Sequence, residues 1–238
     1  MTTFSVRHTP TLLGVRHTPT LGRSTPYTYE GALMLMRKPT RPVKSGSTVT
    51  RRHLATVSGD PVAVPDPERL VHLQFRRFAG CPVCHLHLRS VVRRHAEIEA
   101  AGIREVVVFH SPAEELRQYT ADLPFAVVAD PGKRLYAEFG VESAPRALLS
   151  PRAWSPVVRA VLRGGWEVLR GRERLPATSQ PGGRLGLPAD FLIGPEGRVL
   201  AAKYGEHVYD QWPVDELLHL ASSHRPALGH PPARQPQS

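Results

Sequence analysis

The stretch Leu70-Val71-His72-Leu73-Gln74-Phe75-Arg76-Arg77-Phe78-Ala79-Gly80-Cys81-Pro82-Val83-Cys84-His85 holds both cysteines of a 238-residue chain. Its first six residues are an apolar, strand-like run that Ala79-Gly80 cuts off. Pro82 then stands where a helix accepts proline, in the first turn, and Leu86, Leu88, Val91, Val92 and Ile98 carry an apolar helical face to Ala101-Gly102. Two thiols at this spacing admit three readings: a redox dithiol, half of a zinc site, or a c-type haem attachment, since Cys81-x-x-Cys84-His85 spells that too.

The redox reading is favoured. Zinc needs four ligands, and with no second C-x-x-C only histidines such as His85, His87, His95 and His110 could complete the set. Haem needs a distal ligand, and Met1, Met34 and Met36 all lie far to the N-terminal side. His85 and His87 read more simply as solvated or packing residues of the helix. A cysteine at a helix N-terminus faces unpaired backbone N–H groups and the positive end of the macrodipole, which favour thiolate over thiol. Arg76 or Arg77 can add to that field. The expected division of labour is that Cys81 attacks and that Cys84, one turn deeper and less exposed, closes a disulfide which a reductant reopens. No metal and no cofactor is called for.

Outward from this stretch, Glu105-Val106-Val107-Val108-Phe109-His110 is a second strand, and Ser111-Pro112 opens a helix to about Tyr119. Strand, helix, strand over some forty residues is a βαβ unit with parallel neighbours. Pro124 to Asp130 reads as another strand and Pro131 to Phe139 as a short helix. An insertion follows at about 142–186. Ala189 to Ile193 and Val199 to Lys203 flank Pro195-Glu196-Gly197 as an antiparallel hairpin, and a last helix runs from Pro213 to about Ser222. The expected class is α/β, a central mixed sheet with helices on both faces, βαβ first and hairpin plus helix last. That is the order of the thioredoxin fold, in which a proline before the hairpin is cis and packs against the dithiol. Pro188 holds that place and is expected to be cis.

Charge divides the chain unevenly. Residues 1–58 carry nine Lys or Arg against the single acid Glu30, and the tail from 223 adds Arg225 and Arg234, so residues 59–222 are close to neutral although the whole chain has a formal charge of +10. The basic excess is therefore not a stripe on a folded face, which argues against a nucleic-acid partner. Val6 to Leu12 recurs as Val15 to Leu21, a low-complexity repeat rather than a solenoid. Residues 1–58 and 223–238 are expected to be disordered, with 59–222 as the domain. No run of eighteen apolar residues offers a membrane span, and Gly31 to Met36 is too short for a signal-peptide core. Two cysteines without secretion point to the reducing cytoplasm and to redox work.

The segments FRRFAGCPVCHLHLRS, GIREVVVFHS, LPFAVVADPGKRLYAEFGV, LPADFLIGPEGRVLAAKYG and YDQWPVDELL resemble the peroxiredoxin-like group of the alkyl hydroperoxide reductase and thiol-specific antioxidant proteins. The resemblance implies a hydroperoxide substrate, a thiol reductant such as a thioredoxin-like protein, Cys81 as the peroxidatic cysteine and Cys84 as the residue that condenses with its sulfenic acid. Gly80, Pro82 and Pro188 would support the pair. Two features depart from the family pattern. Phe78 stands where such proteins place a threonine, and Pro188 replaces an arginine, so that Arg77, Arg146 or Arg184 is left to polarise a peroxide. The alternatives are a protein disulfide reductase and a non-catalytic thioredoxin-fold binding module. Oligomeric state is not legible in the sequence.

Overall fold

In the computed structural model, which describes residues 41–141 and 186–224 together with Val158 and Leu162, the elements run β1 (Arg52–Leu54), β2 (Val62–Val64), β3 (Leu70–Phe75), α1 (Pro82–Arg93), α2 (His95–Ala100), β4 (Ile103–Phe109), α3 (Ala113–Thr120), β5 (Ala126–Ala129), α4 (Arg134–Glu138), β6 (Ala189–Ile193), β7 (Val199–Tyr204) and α5 (Val214–His224). β3 is buried at all six residues, as a strand covered on both faces must be. It is the centre of a five-stranded sheet ordered β5-β4-β3-β6-β7. The β3–β4 and β4–β5 pairs are parallel, while β3–β6 and β6–β7 are antiparallel. A mixed sheet with the crossover first and the hairpin last is what the sequence calls for.

Period-two alternation separates the two faces. Val71, Leu73, Phe75, Val106, Val108, Phe191 and Ile193 pack on one side with Tyr136 of α4, Phe139 and the β1–β2 pair. On the other side Leu70, Ile103 and Leu192 meet Val91, Ile98, Trp212 and Leu217, and Val107 and Phe109 meet Val83, Leu88 and Leu116. Thus α1 lies across the second face, and its N-terminus meets the C-terminal end of the central strand.

Three boundaries differ from the sequence reading. The apolar face from Pro82 to Ala101 is two helices, because Arg94 leaves helical geometry at φ −114° and its guanidinium is drawn to Glu97 and Asp215. The helix expected from Pro131 starts at Arg134, because the Asp130 carboxylate accepts the amides of Arg134 and Leu135 at 2.9 and 2.8 Å. The ordered part also begins before residue 59. Gly46 N–H donates to Val199 O at 2.7 Å and Val49 N–H to Gly197 O at 2.9 Å, so the residues around Thr48 line β7, and β1 pairs with β2. Gly197, at φ +87°, makes that contact possible, since a Cβ there would lie 2.5 Å from Val49 O. The expected disorder of residues 1–40 and 225–238 lies outside the described residues, as does the insertion apart from Val158, Leu162 and Gly186.

Candidate active site

The ladder of the sheet persists beyond β3 and sets the entry to α1. Arg76 N–H donates to Val108 O at 2.9 Å and His110 N–H to Arg77 O at 3.2 Å, so the segments after β3 and β4 stay side by side. Ser111 Oγ accepts Ala79 N–H at 3.0 Å. Gly80, at φ +69°, then turns the chain through a backbone region that few other residues accept. Cys81 is the N-cap residue of α1 in extended geometry, and Pro82 opens the helix.

Both cysteines are free thiols. The Val83 and Cys84 amides of the first helical turn and the Cys84 side chain hydrogen-bond to Cys81, and Arg77 Nη1 lies 3.7 Å from its sulfur. The Cys84 hydrogen bond, first among these, lowers the Cys81 pKa from 9.0 to about 6 against the opposing effect of burial, with help from the Arg77 charge. The same hydrogen bond, burial and the Cys81 charge push the Cys84 pKa up. One proton shared between two sulfurs thus leaves Cys81 as the thiolate and Cys84 as the thiol at neutral pH.

The expected difference in exposure is not found: Cys81 and Cys84 are each 1% exposed. Phe78 of the turn, Leu187 from before β6 and Val208 from after β7 belong with both sulfurs to one apolar cluster, and two of these three come from parts of the chain remote in sequence. Pro188 also differs from expectation. The cis bond among the described residues is Val64–Pro65, and Leu187–Pro188 is trans. Pro188 enters β6 in line with the strand, its carbonyl accepting Gly205 N–H at 2.8 Å, and a Cβ at Gly205 would come within 2.7 Å of Pro188 Cγ. Of the three arginines named for peroxide polarisation, the structure brings Arg77 to the dithiol; Arg146 and Arg184 lie outside the described residues.

Sequence reading missed a buried polar network beneath α1. Register puts Gln74 opposite Asp190, and the alternating positions His72, Gln74 and Arg76 share a face with Glu105 of the next strand. His72 Nδ1 lies 2.9 Å from Glu105, the Gln74 amide donates to Glu105, and Arg76 donates to Gln74. Arg76 Nη1 is 3.0 Å from Asp190, whose second oxygen accepts Trp212 N–H at 3.0 Å. His87, one turn after Cys84, donates from Nε2 to Trp212 O and offers Nδ1 to Arg76. Burial lowers the His72 pKa, but the Glu105 and Asp190 carboxylates outweigh it and raise the value to about 9. Burial and then the Arg76 charge lower His87 to about 3. The network is therefore two cations, His72 and Arg76, against two carboxylates. Polar residues at alternate places 72, 74 and 76 of an otherwise apolar run are the one signal that could have revealed it.

Among the described residues no helix is long and apolar enough to cross a membrane, and no group of three or more His, Cys, Asp or Glu is arranged to hold a metal ion. A family model described as AhpC/TSA antioxidant enzyme matches residues 90–207, a span that begins just after the cysteine pair. No curated protein matches the sequence. Solved structures with the same fold include peroxidoxin BcpB from Mycobacterium tuberculosis, with 17% identity, a TM-score of 0.53, and 76% of this chain and 97% of that one covered. A mutant of Xylella fastidiosa PrxQ matches with 14% identity and a TM-score of 0.55 over 78% of this chain and 99% of that one. A peroxiredoxin-like protein from Aquifex aeolicus matches with 13% identity and a TM-score of 0.52 over 78% and 90%.

Proposed function

Since this chain belongs to the peroxiredoxin-like, thioredoxin-fold family of AhpC/TSA antioxidant enzymes, we propose that it is a thiol peroxidase that reduces hydroperoxides through a Cys81–Cys84 dithiol/disulfide cycle. The observation that carries this reading is the setting of Cys81: the Cys84 thiol, two helix amides and Arg77 Nη1 at 3.7 Å surround its sulfur and favour the thiolate there rather than at Cys84.

In the first step the Cys81 thiolate attacks one oxygen of the hydroperoxide. An S–O bond forms as the O–O bond breaks, two electrons pass from sulfur to the peroxide, and the leaving alkoxide takes a proton from solvent to become the alcohol. The sulfur is now a sulfenic acid. Cys84 sulfur then displaces its hydroxyl, which leaves as water after taking up the Cys84 proton, and the disulfide forms. A thiol reductant, such as a thioredoxin-like protein, returns both sulfurs to the starting state by exchange. No cofactor takes part. The reducing cytoplasm is the compartment that suits a dithiol which must be reopened on each turn.

Burial favours a small oxidant over a protein disulfide as the first substrate. A sulfur 1% exposed is reached by a hydroperoxide through a small local opening, whereas exchange with a protein disulfide needs its sulfur laid bare. Stopped-flow oxidation tests the assignment: wild type reacts rapidly with hydroperoxide and Cys81→Ser does not. Equal rates for the two would end it.

A further inference from the structure

His110, immediately after β4, is 2% exposed, and neither of its ring nitrogens has a hydrogen-bond partner. Burial of a polar ring with both nitrogens unsatisfied is costly and rare, and it calls for an explanation in function. The mechanism above makes no use of this residue. Its surroundings place it beside Phe78 and Arg77, which themselves border the dithiol. Its backbone N–H bonds to Arg77 O, its ring lies 6.5 Å from that of Phe78 and 5.7 Å from that of Tyr136, and the next residue, Ser111, holds the Ala79 amide of the cysteine turn. Gly186 borders the same place. The position a Cβ would take there is 3.7 Å from Arg77 Cγ and 3.8 Å from His110 Nε2, so a space of about one methyl group lies between the arginine and the histidine. Burial, then the charges of Lys133 and Arg77, lower the His110 pKa to about 4. At neutral pH the ring accordingly has one donor and one acceptor nitrogen.

We propose that His110 is the second polar contact for the peroxide: its neutral imidazole hydrogen-bonds the O–O unit from the Gly186 side while Arg77 holds the Cys81 sulfur. The proposal rests on the peroxidase reading and adds a substrate-binding residue to it. A hydroperoxide has an O–H that donates and oxygens that accept, so it can pair with Nε2, the nitrogen that faces Gly186, in either tautomer of the ring. No bond to His110 is made or broken; Nε2 orients the peroxide and, as the N–H donor, favours charge as it develops on the leaving oxygen.

Two reactions of the same sulfur separate this role from a structural one. Oxidation by cumene hydroperoxide needs the peroxide contact; alkylation by iodoacetamide needs only the thiolate. In His110→Leu the peroxide rate falls by at least about tenfold, the alkylation rate is unchanged, and the melting temperature does not drop, because no hydrogen bond is lost. His110→Gln, which keeps a donor and an acceptor, retains part of the peroxide rate. Gly186→Ala, whose methyl meets only ordinary contacts, also slows peroxide and supplies the reading should His110→Leu fail to fold. Wild-type peroxide rates in His110→Leu, or an equal fall of both reactions, overturn the assignment of His110. A wild-type protein that does not react with peroxide overturns the peroxidase reading itself, and that is seen without any variant.

Discussion

At the scale of single residues the chemistry is decided by which sulfur keeps the proton. Cys81 receives the helix amides, Arg77 and the Cys84 hydrogen bond, and Cys84 is left in apolar surroundings beside an anion. Iodoacetamide reactivity of Cys81 is therefore expected to rise with pH through about 6 and to level off well before the ordinary thiol value of 9.0. Arg77→Met removes a cation 3.7 Å from the sulfur, and the midpoint of that profile should rise by about one pH unit, the lower end of what a nearby opposite charge contributes. An unmoved midpoint would place the control of the thiolate with the amides and Cys84 alone. The cysteine pair, its glycine turn and the neighbouring arginine were legible in sequence because they are contiguous. The equal burial of the two sulfurs was not, because Leu187 and Val208 reach them only through tertiary packing. The trans bond at Pro188 was missed for a similar reason: its conformation follows from pairing with Gly205, seventeen positions away.

At the scale of elements, β3, β4 and β6 were plain from apolar runs bounded by turn residues, and β3 falls at Leu70–Phe75 as read. What those runs concealed is the charged lining between β3, β4, β6 and α1. Arg76→Met leaves Asp190 buried without its cation and should cost about 3–5 kcal/mol of stability in denaturant unfolding. A loss below about 1 kcal/mol, the scale of an exposed pair, would mean that the pair is solvated. His72 gives the network a pH signature. Its folded pKa of about 9 lies above its ordinary 6.5, so its contribution is complete below 6.5 and is lost as pH rises through about 9. The stability difference between wild type and His72→Gln, measured at a series of pH values, should be largest at or below 6.5 and shrink toward 9. Taking the difference cancels the titration of Cys81, which runs in the opposite direction over the same range. A difference that does not change with pH would show that His72 is neutral in the fold. In the final hairpin, Gly205→Ala would set a methyl 2.7 Å from both Asp210 O and Pro188 Cγ. It should destabilise by roughly 1–3 kcal/mol through overpacking and shift the segment that carries Leu187 over the sulfurs. An unchanged unfolding midpoint would show that the hairpin can give way at no cost.

At the scale of the whole molecule, the order of elements places the C-terminal ends of β3 and β4, the N-terminus of α1 and the entry to β6 at one point, and the dithiol lies there. That convergence was readable because a βαβ unit and a closing hairpin leave few topologies open. The ordered stretch around Gly46–Leu54 was not. Its short, basic sequence has no period of its own, and its hydrogen bonds are supplied by β7, β2 and the Gly197 turn. The account as a whole requires that peroxide, the two sulfurs and nothing else close the oxidative half of the cycle. The mass of the intact protein after treatment with one equivalent of hydroperoxide tests this most directly. The predicted result is a monomer lighter by two hydrogens, with the bond mapped between Cys81 and Cys84 and absent from Cys81→Ser. A mass unchanged by peroxide, or the same loss in Cys81→Ser, would contradict it.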